Sequence, residues 1–540
     1  MRLVAVLVWG GVIALWLTWP HLTSGPGEWY WNHENFSYVY RLVEFSDCLR
    51  AGYAFPQWAT DFRGGLGSPY FTYYHPGFFY VSSAFLFLGS ANRALGASLF
   101  LFALVGYAGT FALVSKRFGT AAGVIAGSAL LFSNHARTEL FIRGDLSEFS
   151  AMMLLPALLY WLDEWIDRGR RSAWLSLTLG CGALMVLHSG GGLLGYGLLG
   201  LAIAWFAFRS YERALWAVGA LGLGAALVCW YWLPIFREWD FVTSERAFSG
   251  TYRYAFHFVS PTGLFGDPTA RALIPTGLGM PTLALLGVNA LRLRWAPADP
   301  VRRRWIGFLW VAMVTSVFLM SSTSTWIWDH LSLLQRIQFP WRIMLLVTVC
   351  AAVLGGAVIP FATERRQIAF AAVAVTVLAA FAVSSPRAHR LVYRQPTSGH
   401  DIAQTFFAPD VRDEWMPRKA KRLVRDAVPA DPVCGGDCRI VAFDRDQGRL
   451  HCRVRTTGSE WLILPHYFFP VGWRATIDGT LVTLGRSPQG LMMIGVPGGG
   501  EHDVEVRFSM TPMRATGLEL SALALAVWVG LLVTGHPRGS

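Results

Sequence analysis

Residues 172–208 read SAWLSLTLGCGALMVLHSGGGLLGYGLLGLAIAWFAF, without a single Asp, Glu, Lys or Arg. One crossing of a bilayer core takes about 20 apolar residues and tolerates about 17, so this stretch is long enough to cross twice. The natural break lies at His188-Ser189-Gly190, which gives spans at 172–189 and 190–208. Arg168, Arg170 and Arg171 precede the pair, and Arg209 with Arg213 follows it. Both outer ends are therefore basic and the tip between them is not, as expected of two antiparallel membrane helices with positive loops on one side. The fold class that follows is a membrane all-α bundle.

The same test applied outward gives about twelve spans: 3–19, 95–115, 119–134, 148–165, 172–189, 190–208, 214–236, 275–293, 304–321, 342–361, 366–384 and 516–535. Lys116 with Arg117, Arg292 through Arg304, and Arg365 with Arg366 then join the N-terminus on the side of the two clusters above, provided that residues 76–90 lie in the interface without crossing. Residues 3–19 are expected to be an uncleaved anchor, since no small-x-small site follows. The composition agrees, with 54% hydrophobic and only 15% charged residues in 540. The formal net charge of +12 is carried largely by these short clusters, a topological pattern that excludes nucleic-acid binding.

The opposite, exported side holds residues 20–94, about 135–147, 237–274, 322–341 and 385–515. The organisation expected is thus a transmembrane module over 1–384, a β-rich extracytoplasmic domain over 385–515, and a last helix with a short tail over 516–540. The β-rich reading rests on RIVAFDRD, RLHCRVRT, WLILPHYFF, and WRATI joined to TLVTL by Asp478-Gly479, a strong hairpin signal. A second turn at Pro497–Gly500 precedes HDVEVRFSM, which completes a small antiparallel sandwich. Cys434, Cys438 and Cys452 share this exported stretch, so one disulfide is expected among them, with the pair undetermined. Cys48, Cys181, Cys229 and Cys350 stand apart from it.

Three exported clusters carry polar chemistry. The first loop contains Trp29, Tyr30, Trp31, Asn32, His33, Glu34, Asn35 and Phe36, with Arg41 further on. Its aromatics suit an interfacial belt, but a carboxylate at the mouth of a bundle is costly unless paired, and Glu34 there can take a proton from a hydroxyl. Arg143, Gly144, Asp145, Leu146, Ser147 and Glu148 stand where the third span gives way to the fourth. Asp145 or Ser147 can simply cap that helix and Glu148 suit its dipole, yet an Arg and two acids also suit a shared polar pocket. Ile337, Gln338, Phe339, Pro340, Trp341 and Arg342 precede the tenth span. Arg342 runs against the positive-inside trend, and guanidinium suits phosphate. His188 can contact sugar or phosphate or be a satisfied structural histidine; His75, His257 and His330 are weaker still. The chain has no zinc spacing, no GxxxxGK loop and no GxGxxG context.

These strings resemble a known family. NHENFSYVYRLVEFSDCLRAGYAFPQWATDFRGGLGSPYFTYYHPGFFY in the first loop, FIRGDLSEFSAMMLLPALL at 141–159, the LHSGG stretch and RIQFPWRIMLL at 336–346 are similar to bacterial membrane proteins named for a 6-pyruvoyl-tetrahydropterin-synthase-related domain. The C-terminal LPHYFFPVGWRATIDG and GVPGGGEHDVEVRF look like the extracytoplasmic domain of a related group. Nothing here looks like the soluble synthase. The family in turn resembles the GT-C glycosyltransferases, which implies sugar transfer from a polyprenyl-phosphate donor to a glycan, lipid or protein acceptor on the exported face of a bacterial inner membrane, with both termini cytoplasmic. It also implies that the first-loop acid, here Glu34, is the base. The relatives usually have Asp after the His, so Glu34 is a departure with a longer reach.

On that reading His33, Arg41, Arg143, Asp145, Glu148, His188, Gln338, Trp341 and Arg342 bind substrate. The carboxylates can orient the acceptor or hold magnesium or manganese, and metal dependence stays open. The rivals are a transporter or flippase of lipid-linked glycans, and a noncatalytic glycan-assembly protein.

Overall fold

Each apolar run forms a helix in the computed structural model, which describes residues 2–25, 27–30, 32–34, 37–264, 277–292, 299–358, 363–384, 390–392, 401, 415–420 and 431–534. The bundle comprises α1 (Arg2–Leu22), α2 (Ser37–Arg50), α3 (Ala91–Phe118), α4 (Thr120–Leu131), α5 (Leu146–Arg168), α6 (Arg171–Leu187), α7 (Ser189–Phe206), α8 (Tyr211–Ala226), α9 (Cys229–Glu238), α10 (Met280–Arg292), α11 (Pro300–Met320), α12 (Met344–Gly356), α13 (Glu364–Ser384) and α14 (Pro512–Thr534). Only α2 has no counterpart among the expected spans. Trp31, Asn35 and Phe36 of the first loop, and most of 385–430, lie outside the described residues.

The count of about twelve spans is not confirmed. Six helices among the described residues are long and apolar enough to cross, or seven if α8 and α9, bent by 69° at their junction, make one broken span. Helix α4, with 12 residues, is too short, and α5 carries Asp163, Glu164 and Asp167 near its end. Both are buried along most of their length, and a helix sheathed by protein needs neither full length nor full apolarity. Their close packing comes from small residues: a Cβ on Gly109 of α3 would stand 2.6 Å from the backbone nitrogen of Ala157 in α5. The segment expected to lie in the interface forms a short helix, Gly77–Ser83, and a 3-10 turn, Leu86–Leu88.

The two ends of the bundle differ in charge chemistry. At one end Lys116 of α3 meets Asp163 at 2.7 Å and Glu164 at 2.6 Å on α5, while Arg117 and Arg209 pair with Asp163 and Asp167 and Trp305 donates to Asp163 at 3.1 Å. The basic clusters at 116–117, 168–171 and 209 thus share one end, as the loop charges require. At the other end lie the starts of α5, α7 and α12.

Strands β3 (Val433–Cys434), β4 (Arg439–Asp446), β5 (Arg449–Thr456), β6 (Glu460–Tyr467), β7 (Trp473–Ile477), β8 (Thr480–Val482), β9 (Gly485–Arg486), β10 (Leu491–Val496) and β11 (Gly500–Phe508) form two antiparallel sheets, ordered β3-β6-β10-β9 and β4-β5-β11-β7-β8. Alternate residues of both face one core, including Val454, Leu462, Ile494 and Val506, the arrangement of a sandwich. Asp478 and Gly479 have φ of 51° and 81°, and Ile477 pairs with Thr480, the two-residue hairpin expected from Asp-Gly. Strands β9 and β10 escaped the sequence reading. Of the three cysteines in this stretch Cys434 and Cys438 are bonded, and Cys452 is a buried free thiol in the sandwich core. A small sheet of β1 (Glu28–Tyr30) and β2 (Arg390–Val392) ties the first loop to the chain after α13.

Candidate active site

Four segments far apart in sequence meet where α5, α7 and α12 begin. Residues 32–34 run beside the entry to α5: the His33 amide donates to the Ile142 carbonyl at 3.0 Å and the Glu34 amide to that of Arg143 at 3.2 Å. Gly144 makes this approach possible. Its φ is 75°, and a Cβ there would stand 2.3 Å from Asn32 Oδ1. Just before it the chain passes through a π-helical turn, Glu139–Arg143, a device often found at functional sites.

Arg143 is the hub. Its guanidinium lies 3.0 Å from Asp145 Oδ2 and 3.5 Å from Glu139 Oε1, forms a close pair with Glu148, and stacks on Trp341 with 4.3 Å to the ring centre. Arg342 Nε is 3.4 Å from Glu148 Oε2, and its Nη1 donates to the Ile337 carbonyl at 2.8 Å. Asp145 also caps α5, accepting from the Glu148 amide at 3.1 Å, so the capping and pocket readings both hold. Burial opposes ionisation of Asp145, but Arg143, with His188, His75 and Arg342, holds its carboxyl well below the usual range.

Glu34 joins this centre through Arg41, whose Nη1 is 3.0 Å from Glu34 Oε2. Arg41 is buried in a cage of Tyr38, Tyr70 and Tyr74, with 5.3, 5.2 and 4.7 Å to their ring centres. Tyr38 donates to Asp145 Oδ1 at 2.8 Å and lies 3.0 Å from the Tyr74 hydroxyl. One polar path therefore runs from Glu34 through Arg41 and the tyrosines to Asp145 and Arg143.

His188 is extended between α6 and α7 and caps α7, its Nδ1 accepting from the Gly191 amide at 2.8 Å. Its Nε2 faces Asp145 and Glu148 at 3.6 and 3.7 Å. His75 packs against it, with 4.6 Å between ring centres, and burial pushes the His75 imidazole down to about 3. His75, Asp145 and His188 place ligand atoms within 4.8 Å of one another. Two imidazoles and one carboxylate are poor partners for magnesium, which prefers oxygen. The bond from Gly191 moreover leaves the His188 proton on Nε2, where a metal would sit, whereas a ligating imidazole donates its other nitrogen. As seated the triad is a hydrogen-bonding group, and it is the one cluster among the described residues whose ligand atoms lie close enough to hold a metal ion.

The structure thus brings together Glu34, Arg41, Arg143, Asp145, Glu148, His188, Trp341 and Arg342. His33 and Gln338 stand apart. The His33 side chain is exposed. Gln338 donates to the Ala247 carbonyl at 2.6 Å and lines a separate cavity of about 280 Å³ with Arg253, Tyr254 and Asp329. Its φ of 74° is unusual for a residue with a side chain, and it turns the chain into the Phe339-Pro340-Trp341 corner. Tyr38, Tyr74 and Glu139 are not among the residues singled out in the sequence, and His75, a weak candidate there, packs against His188.

A helical membrane bundle with a buried acid and arginine centre at one end and an antiparallel sandwich between α13 and α14 describes the class. The chain belongs to the 6-pyruvoyl-tetrahydropterin synthase related domain family of membrane proteins, whose profile matches residues 71–390. That span takes in Arg143, Asp145, Glu148, His188 and Arg342 but not Glu34 or Arg41. None of the curated proteins matches the chain in sequence. Among solved structures it is similar to the arabinofuranosyltransferase AftD from Mycobacteria, at 18% identity and a TM-score of 0.45 over 70% of this chain and 26% of that one. It is also similar to the Archaeoglobus fulgidus oligosaccharyltransferase, at 15% identity and 0.36 over 76% and 53%, and to ArnT from Cupriavidus metallidurans, at 14% and 0.29 over 66% and 78%. The chain spans about a quarter of the length of AftD.

Proposed function

We propose that this protein is a glycosyltransferase that moves a sugar from a polyprenyl-phosphate donor to an acceptor hydroxyl on the exported face of the membrane. The observation that carries the reading is the convergence of Glu34, Asp145 and Glu148 with Arg41, Arg143 and Arg342 at the end of the bundle away from the basic loops. Buried charges at a membrane boundary are costly and are retained chiefly where they meet a substrate or each other.

Charge balance assigns the parts. The centre holds four acids, counting Glu139, and three arginines. Burial, against the pull of Arg143, pushes the Glu139 carboxyl well above its ordinary range, and Arg143 is the arginine within reach of it among the described residues. Asp145 and Glu148 are committed to Arg143. Arg342, with one ion pair, one carbonyl and the rings of Phe339 and Trp341 about it, is the cation most readily turned to a phosphate, and its planar fork suits that group.

Glu34 takes the proton of the acceptor hydroxyl as the oxygen attacks C1 of the sugar. The bond from C1 to the phosphate oxygen breaks, its electron pair leaves with the lipid phosphate beside Arg342, and the configuration at C1 inverts. Asp145 and Glu148 keep Arg143 in place, and no step requires a metal. A base of this kind contributes about 10²–10⁴-fold. The test is incubation of the purified protein with a panel of polyprenyl-phosphate sugars and acceptor glycans, followed by mass spectrometry. Sugar transfer with release of lipid phosphate supports the reading, and intact donors across the panel refute it.

A further inference from the structure

A second polar cavity, of about 440 Å³, lies between the far end of α2 and the tip of the β4-β5 hairpin. Asp47 and Arg50 of α2, Asp61 of the following loop, and Arg445, Asp446 and Gln447 of the hairpin line it. Nine residues of helix separate Arg50 from Arg41, which places the cavity about 13 Å along α2 from the acid and arginine centre.

Its walls are held firmly. Gln447 donates to Asp61 Oδ2 at 2.9 Å and accepts from the Cys48 thiol at 3.4 Å, Arg445 donates to the Gly65 carbonyl at 2.9 Å, and the Gly448 amide donates to Thr60 at 2.9 Å. Behind Gln447 lies Glu44, fully buried, whose Oε2 receives no hydrogen bond. The hairpin is thus seated in the first exported segment as part of a preformed site, of a size within the range of small-molecule pockets, about 300–1,000 Å³.

The lining selects the ligand. Three acids against two arginines leave one net negative charge, which disfavours phosphate and other anions. Among the described residues only His75, Asp145 and His188 gather into a metal-like group, so the three acids do not form a cation cage. The lining side chains are polar apart from Ala51, which disfavours an apolar ligand. Interleaved donors and acceptors, Arg50, Arg445, Gln447 and Thr60 beside Asp47, Asp61 and Asp446, suit a molecule that both donates and accepts hydrogen bonds at several points, the property of a sugar ring.

We infer that this cavity is the acceptor subsite, which holds a neutral sugar unit of an acceptor glycan between α2 and the β4-β5 hairpin. The inference rests on the glycosyltransferase reading and gives the sandwich a part in substrate recognition. The test uses the full chain in nanodiscs against immobilised neutral oligosaccharides, with uronate and sulfated polymers alongside. Wild type retains at least one neutral oligosaccharide in preference to the charged polymers. Ala51→Trp, which fills the cavity from an exposed position, and Asp446→Asn each weaken that binding tenfold or more, with melting unchanged. No retention of neutral glycans, equal retention by Ala51→Trp, or preference for the charged polymers would overturn the subsite. Donor turnover is measured separately on the same protein: glycan binding without turnover defeats the transferase reading alone, and turnover without glycan binding defeats the subsite alone.

Discussion

Replacing Arg143 with Met keeps the length of the side chain and removes its charge. In the wild-type protein that charge serves three carboxylates, Glu139, Asp145 and Glu148, exposed by 0%, 4% and 0%. Among the described residues Arg342, 3.4 Å from Glu148, is the arginine that remains within reach, with the buried His135 and His188 at 3.6–3.7 Å. Breaking a buried ion pair by removing one partner costs about 3–5 kcal/mol, because the surviving charge has neither water nor counterion. The pH dependence has a definite sign. Asp145 is held below its ordinary range, so it stabilises the fold above the unfolded value of about 3.9, and that contribution disappears with Arg143. In Arg143→Met the acids titrate at higher pH, and protonation relieves the buried charge. The deficit against wild type is therefore largest near pH 7.5 and shrinks toward pH 5. Tryptophan-fluorescence melting in detergent across that range measures it, and Arg143→Met/Glu148→Gln should recover part of the loss. A melting curve within 1 °C of wild type at every pH would refute the reasoning.

Further outcomes follow from other parts of the chain. Glu44 is buried beside Asp61, and burial first, then Asp61, pushes its carboxyl well above the usual range; stability therefore falls as pH rises through that value. Glu44→Gln should be the more stable protein at pH 8, by about 1–3 kcal/mol, with the gain fading toward pH 5, and pH-resolved melting checks it. Gly144→Ala forces a side chain into the left-handed region and onto Asn32. It should cost about 1–3 kcal/mol and lower turnover by displacing Glu34, whereas the nearby Ser147→Ala should do neither. Peptide mapping without reductant should recover Cys434 bonded to Cys438 and Cys452 as a slowly reacting thiol.

Much of the architecture could be read directly because apolarity and turn chemistry are local. The break at His188, the basic loops gathered at one end, the Asp478-Gly479 hairpin and the acid-rich entry to α5 all appear where their residues predicted. The span count is not confirmed, because α4 is short and α5 carries three acids near its end, and both are sheathed by other helices. Strands β9 and β10 were missed because LMMIGV has no alternation, being buried on one sheet between two partners. At the site, residues with motif-like neighbours were found and their supports were not. Tyr38 cages Arg41 from one turn earlier on α2, but Tyr74 does so from 33 positions further along the chain, a contact that leaves no periodic trace. Gln338 shows the converse: it belongs to a distinctive string, but its side chain is spent on the Ala247 carbonyl.

The most direct measurement is single-turnover release of polyprenyl phosphate from a donor that wild type accepts, compared between wild type and Glu34→Gln at matched folded concentration. Loss of about 10²-fold or more in the variant, with donor binding retained, is the predicted result. Equal release by the two proteins would contradict the account.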